Sequence, residues 1–248
     1  MDNNLKEYIL MLADSGLILG QRLGEWCGHG PVLEQDIALT NIALDIIGEA
    51  RNYYHYLAET EGKKEDDYPM FRDERSFRNL LLCELPNGHW GDTIMRQFMY
   101  DCYHYHLLEG LTGSKDKTLS AIAHKSIKEA AYHIAFSAEW VIRLGDGTDE
   151  SHQKIQGSLD DLMPYFAEMF IPEPYETWCQ DEGYGPSSGD IRSRAINKFQ
   201  EVISEATLQM PREYHNQKGG KSGYHTENLG FILAELQYMQ RAYPGQDW

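Results

Sequence analysis

Basic residues are scarce in this chain: 22 Lys and Arg stand against 39 Asp and Glu in 248 residues, a formal charge of −17. Binding to a nucleic-acid backbone depends on clustered cations, so that balance argues against such a ligand. Any anionic ligand must be met by a local basic cluster working against the global field. Cysteine is sparse too. Cys27, Cys83, Cys102 and Cys179 lie far apart with no CxxC spacing, which speaks against a disulfide scaffold or a zinc site and predicts a reducing, cytoplasmic setting. No apolar run approaches the roughly 20 residues that span a bilayer, and the opening MDNNLKEY has neither the basic nor the apolar region of a signal peptide. Strand-like alternation persists nowhere. Also missing are GxSxG, a P-loop, a GxGxxG that opens a helix, and HExxH.

What the chain does have is helical periodicity. Asp36 to Tyr54 reads DIALTNIALDIIGEARNYY, with apolar residues around most of the helical circumference. Such a helix is central and buried. Yet Asp45, Glu49 and Asn52 stack on one of its faces, and a buried carboxylate is expensive unless it is paired or bound to a metal. Further helices are predicted over Tyr8–Trp26, from Pro31 in a first turn to Glu61, Phe71–Leu85, His89–Leu111, Asp116–Leu144, Thr148–Phe170, Tyr175–Gln180, Ile191–Gln209 and Thr226–Ala242. Pro164 marks a kink or boundary, and the glycines of Pro211 to Tyr224 read as a flexible connection. The reading is all-α: one domain over residues 1–248, a four-helix bundle with additional helices packed around it.

Helix bundles that hold two irons draw one Glu from each of two helices and a Glu-x-x-His from each of the other two. Here the first such motif keeps Glu49 but has Asn52 where His belongs, and the second keeps His133 but has Ala130 where Glu belongs. Among the single carboxylates, the first helix offers only Asp14, and on the third Asp92 and Asp101 flank the plausible depth with Arg96 between them. Amide and methyl side chains do not replace carboxylate and imidazole as iron ligands. Glu49, Asn52, Ala130 and His133 therefore read as a vestigial metal site, with Arg96 or another cation on a facing helix neutralising Glu49. Ordinary satisfied core polar groups would leave the same trace. Cys102 and His104, in an aromatic helix, read as core rather than nucleophile and base. No catalytic residue is assigned, and no metal ligand.

Several segments together carry a resemblance over essentially the whole chain: GQRLGEWCGHGP (Gly20 to Pro31), DIIGEARN (Asp45 to Asn52), RDERSFRNLLL (Arg72 to Leu82), IKEAAYH (Ile127 to His133), LGDGTD (Leu144 to Asp149), GGKSGYHTENLG (Gly219 to Gly230) and PGQDW (Pro244 to Trp248). In these the sequence resembles the C subunits of bacterial phenylacetyl-CoA 1,2-epoxidases. The resemblance implies a ferritin-like, non-catalytic structural subunit. Its partner would be a catalytic A subunit that holds the di-iron centre. A B subunit and a reductase complete the assembly, the reductase passing electrons from NADPH through FAD and a 2Fe-2S cluster. With O2 such an assembly converts phenylacetyl-CoA to its ring 1,2-epoxide in aerobic phenylacetate breakdown. The resemblance also implies substrate contacts at Ser76, Phe77, Arg78 and Asn79 and at Thr177, Trp178 and Cys179. Arg72, Arg75 and Arg78, three apart on a predicted helix, form a local basic cluster suited to coenzyme A phosphates or to nearby acidic residues. The alternative is a ferritin-like metal carboxylate enzyme, using Glu49, His133, Asp14 and Asp101 irregularly, or an iron-handling protein.

Overall fold

A computed structural model describes residues 1–246, and among them there are α-helices and short 3-10 turns but no strand. The fold is all-α and ferritin-like. Its centre is two long antiparallel pairs: α1 (Asn3–Gly24) with α2 (Leu33–Glu61), and α5 (Trp90–Leu111) with α6 (Lys117–Gly145). Side chains start three of these helices by accepting from the free amides of the first turn. Asp2 caps α1, His89 and Asp92 form a reciprocal box at α5, and Asp116 caps α6 through Thr118 and Leu119. α1 is buried almost all round because α2 comes close on one side. A Cβ on Gly20 would fall 2.5 Å from Cγ1 of Ile47, so this glycine serves the α1–α2 seam.

Around the bundle lie α7 (Asp149–Phe166) and α9 (Ser188–Glu205) against α5, α8 (Pro174–Asp181) against α1, and the short helices α3 (Asp67–Phe71) and α4 (Leu81–Glu84). Pro164 sits inside α7, which runs on to Phe166 before a 3-10 turn. Pro31 precedes α2 rather than opening it, because Val32 is the N-cap.

The predicted helix Phe71–Leu85 does not form. After α3 the chain runs extended from Arg72 to Leu80 with one 3-10 turn at Glu74–Ser76, then enters α4. Every helix must settle its own amides, but here buried side chains take them. Arg78 N donates to Asp14 Oδ2 at 2.8 Å, Leu80 N to Ser15 Oγ at 3.2 Å, and Leu81 N to Glu168 Oε2 at 2.7 Å. Glu84, fully buried, accepts from Thr226 N at 2.6 Å, Asn79 Nδ2 at 2.9 Å and His225 Nδ1 at 3.0 Å. Three buried carboxylates on three different elements thus fix this strap.

The same clamp fixes residues 219–224, the C-terminal part of the 211–224 segment expected to be flexible. Gly219 N and Gly220 N both donate to Glu168 Oε1 at 2.8 Å. Lys221 is buried, its Nζ bonded to Glu176 Oε2 at 2.6 Å and to Ile171 O at 2.7 Å. Gly220 lies so near the strap that a Cβ there would meet Asn79 O at 2.2 Å. The final predicted helix is two, α10 (Glu227–Leu236) and α11 (Tyr238–Ala242). Buried Gln237 divides them by donating to Pro69 O and Arg72 O at 2.8 and 2.9 Å. Leu229, Ile232 and Leu233 are buried, Leu236 is half-buried and Met239 is exposed. Of the terminal PGQDW, Asp247 and Trp248 lie outside the described residues.

Candidate functional site

The bundle centre, where a di-iron protein would hold its metals, is crossed by a ladder of alternating carboxylates and imidazoles. Glu49 Oε1 on α2 meets His104 Nε2 on α5 at 3.0 Å. His133 Nε2 on α6 meets Asp45 Oδ2 on α2 at 3.1 Å. Asp101 on α5 stands within electrostatic reach of both imidazoles, and accepts from Gln97 Nε2 and Ser137 Oγ at 2.7 Å each. Burial raises the Asp101 carboxyl above its ordinary range, with the two imidazoles and its two donors opposing. Burial acts on His104 to lower its pKa, but the charge and hydrogen bond of Glu49, helped by Asp101, outweigh it and the value is raised. Each buried charge in the ladder therefore has an opposite neighbour within the protein.

This donor set does not fit a di-iron centre. Asn52 is half-buried and Ala130 buried, and neither is an iron ligand. Glu49 and His133, the retained members of the two motifs, are engaged by His104 and Asp45. The orphaned buried atoms here include Nδ1 of His104 and Nδ1 of His133, single donors on two helices, against the roughly six ligands that two irons take. Among the described residues no three His, Cys, Asp or Glu side chains converge as a metal-holding group. Asp14, the other candidate carboxylate, is committed to Arg72, Tyr54 and the strap. The cation facing Glu49 is His104, not Arg96. Arg96 instead donates to Leu85 O at 2.5 Å and Asn87 Oδ1 at 2.6 Å, and burial lowers it to about 10.

The two segments expected at a substrate come together around the first turns of α1. Arg78 Nε binds Glu7 Oε2 at 2.6 Å, and Cys179 Sγ approaches Asn4 O at 3.9 Å. Between them lies the Lys221–Glu176 pair, with Tyr175 Oη donating to Lys221 O at 3.0 Å. Ser76 and Thr177 are exposed and Trp178 is half-buried, stacked on Tyr184 at 5.6 Å. Phe77, Asn79 and Cys179 point inward and are buried. Burial pushes the Cys179 thiol up to about 12, Asp2 and Glu176 adding to it, so the thiol stays protonated at neutral pH. The three arginines share no helix face. Arg72 is spent on Asp14, Arg75 lies 4.9 Å above the Tyr224 ring, and Arg78 holds Glu7.

The comparisons with known proteins cover the chain along its whole length. The family described as phenylacetic acid catabolic protein matches residues 1–248. Over 247 residues, 99% of this chain and 100% of the relative, the sequence is 48% identical to the C subunit of 1,2-phenylacetyl-CoA epoxidase from Escherichia coli (strain K12). This chain belongs to the phenylacetic acid catabolic protein family.

Sequence reasoning leaves three residues out of this member's polar core and clamp. His104 stands three residues after Asp101 on an otherwise aromatic helix, a spacing that puts the two on one face and could have joined them to Glu49. Glu84 and Glu168 give no comparable signal, since the backbone amides they accept from lie 51 to 142 residues away. No helix among the described residues is long and apolar enough to cross a membrane.

The Glu49–His104 pair sets a pH dependence with a defined sign. A histidine whose folded pKa is raised stabilises the fold fully below its ordinary value, about 6.5, and that share is lost as pH rises through the folded value. Asp101, also raised, acts with the same sign. Glu49→Gln removes the charge that holds the His104 imidazolium, so burial then dominates and lowers the pKa. We expect the wild-type urea midpoint to decline from pH 6.5 upward, and the Glu49→Gln midpoint to decline instead on acidification below pH 6.5. Parallel curves for the two proteins would contradict the assignment.

Proposed function

We propose that this chain is the non-catalytic, structural subunit of a multicomponent di-iron oxygenase that converts phenylacetyl-CoA to its ring 1,2-epoxide in phenylacetate breakdown. Iron would belong to a homologous catalytic A subunit. A B subunit, and a reductase with FAD, a 2Fe-2S cluster and NADPH, would complete the assembly. The observation that carries this reading is the filled bundle centre: the positions that would bind iron are held by Glu49–His104 and Asp45–His133 instead. The relative from Escherichia coli, by its name the C subunit of such an epoxidase, supports the reaction class.

The test is elemental analysis after iron reconstitution, together with oxygen consumption. We expect no stoichiometric iron in the isolated chain, and phenylacetyl-CoA-dependent oxygen uptake only when the A subunit and reductase are present. One or more irons per chain, or uptake by this chain alone, would overturn the proposal in favour of an enzyme in its own right.

For the substrate we propose a supporting role for the rim formed by Ser76, Arg78, Thr177 and Trp178, with Phe77, Asn79 and Cys179 holding its backbone from inside. The half-buried Trp178 ring, stacked on Tyr184, offers a flat apolar surface on this rim. Trp178→Ala in the assembled complex is expected to raise KM for phenylacetyl-CoA by about tenfold, the ~1.4 kcal/mol of one stacking contact, with kcat unchanged. An unchanged KM in an intact complex would leave the substrate wholly to the partner.

A further inference from the structure

The outer faces of α2 and α6 carry apolar side chains that nothing among the described residues covers. Leu33, Ile37 and Leu44 recur along α2 at helical spacing with 71%, 51% and 62% of their surface exposed, and Tyr132 on α6 is 51% exposed. Leu44 and Tyr132 each directly precede a member of the Asp45–His133 pair that joins the two helices, so they flank one seam. Behind Tyr132 the face is stiff. Tyr132, Phe136 and Trp140 contact one another in series down α6, at 6.1 and 6.5 Å between centroids, and Trp140 continues to Trp90 and Trp26 at 5.8 and 5.5 Å. A rigid aromatic backing lowers the entropic cost of docking.

Charge selects the occupant. Lys125 and Lys128 are exposed on α6, two turns and one turn before Tyr132. Among the described residues they make no ion pair or hydrogen bond, Glu129 acting on Lys125 only at a distance, although most other cations of this acidic chain are paired. The second exposed apolar patch, at Phe231 and Tyr238, differs in this respect. Its neighbouring cations are already occupied, Arg75 by the Tyr224 ring and Arg241 by Asp73. Size is adequate as well. Two 29-residue helices, each about 43 Å long and about 10 Å across, offer roughly 800 Å², the per-partner area of a standard stable interface.

We propose that the α2–α6 face is the docking surface for the catalytic partner subunit, whose matching face is an apolar centre rimmed by carboxylates opposite Lys125 and Lys128. This rests on the oxygenase-subunit reading above. Two copies of this chain meeting face to face would bring together the same unpaired lysines, and the carboxylates this face carries, Asp45 and Glu129, already face His133 and Lys125. The face marked by Gly16 and Gly20 is not available, because both glycines are spent on α2: a Cβ on Gly16 would already touch Ala50 and Ile46 at 3.4 Å.

The experiment measures association of the purified full chain with the co-expressed catalytic A subunit by analytical ultracentrifugation and surface plasmon resonance, with circular dichroism melts as a control for folding. The Leu44→Asp/Tyr132→Asp double variant should weaken the complex at least 100-fold. Lys125→Glu/Lys128→Glu should slow association about tenfold and flatten its salt dependence, while Phe231→Asp should change neither. A wild-type complex that survives both α2–α6 variants, or one abolished by Phe231→Asp alone, places the interface elsewhere and overturns the inference while sparing the functional reading. Wild-type chain that fails to bind the A subunit at all overturns that reading itself. A homodimer of this chain lost on Leu44→Asp/Tyr132→Asp assigns the face to a second copy and also overturns the proposal.

Discussion

Asp14→Ala is expected to lower the unfolding free energy by about 3–5 kcal/mol, the usual cost of stranding one partner of a buried ion pair. Asp14 has no exposed surface and accepts from Tyr54 Oη at 2.5 Å, Arg72 Nη1 at 3.0 Å, Arg72 Nη2, and the amide of Arg78 at 2.8 Å. Without it the Arg72 guanidinium keeps the carbonyls of Tyr68 and Ser76 and the Phe77 and Tyr54 rings at 4.3 and 5.9 Å, with the charge of Glu7 acting only at a distance. Asp14→Asn retains one acceptor and the volume, so its loss should be roughly half as large, about 1.5–3 kcal/mol. Adding Arg72→Met to Asp14→Ala should recover part of the loss, because an apolar replacement of both partners strands no charge. Urea unfolding followed by circular dichroism gives all four values. A deficit under about 1 kcal/mol for Asp14→Ala, no more than one ordinary hydrogen bond, would mean that the strap hangs on something else.

The second large effect should come from Glu168→Ala, which leaves the amides of Leu81, Gly219 and Gly220 without acceptors in a buried place. Each stranded amide costs about 1–3 kcal/mol and the terms do not add fully, so about 3–5 kcal/mol in all is expected. The loss should also be local. Amide exchange in residues 219–223 and 77–81 should quicken well beyond that of α5. Burial raises the Glu168 carboxyl despite the three amides and Lys221 that oppose it. A carboxyl raised on folding contributes stability that is complete below its ordinary value, about 4.3, and lost as pH climbs through the folded value. Glu168→Gln keeps one acceptor oxygen and never ionises. It should fall between wild type and alanine at neutral pH and lack that pH dependence. Unchanged exchange at 219–223 in Glu168→Ala would show that the C-terminal segment is held without this carboxylate.

The long helices are legible because their signals are local. Periodicity places α1, α2, α5 and α6 within a few residues, and of the face shared by Asp45, Glu49 and Asn52, which turns toward α5 and α6, Glu49 is buried and the other two are half-buried. What stays hidden depends on partners distant in sequence. Phe71–Leu85 has helical spacing, yet its amides are claimed by Ser15 and by carboxylates on α1 and beyond α7, which no local window contains. Gly219 to Gly223 has the composition of a mobile loop and is fixed for the same reason. In the polar core, Glu49 and His133 are visible in the sequence, but Arg96 offers itself as the partner of Glu49. A histidine among tyrosines on α5 reads as packing, when one of its ring nitrogens faces the carboxylate. Charge alone does not tell these two apart, since both cations lie on the same helix at nearby depths.

The strap also imposes an order on biosynthesis. Glu84 leaves the ribosome 142 residues ahead of Thr226, the backbone donor that satisfies it. At the usual ~5–20 residues per second that interval is about 7–28 seconds. Throughout it, α1 and α2 can pair, and Asp14 can find Arg72 and Arg78, but Glu84 and the inner edge of the strap have no amide from the C-terminal segment to receive. The nascent bundle therefore carries an open, charged seam until its last quarter emerges. Chains truncated before residue 219 should keep that seam open and be held by chaperones rather than released. A C-terminal deletion in this protein is thus a lesion in the first helix's surroundings, even though nearly the whole length of the chain separates the two.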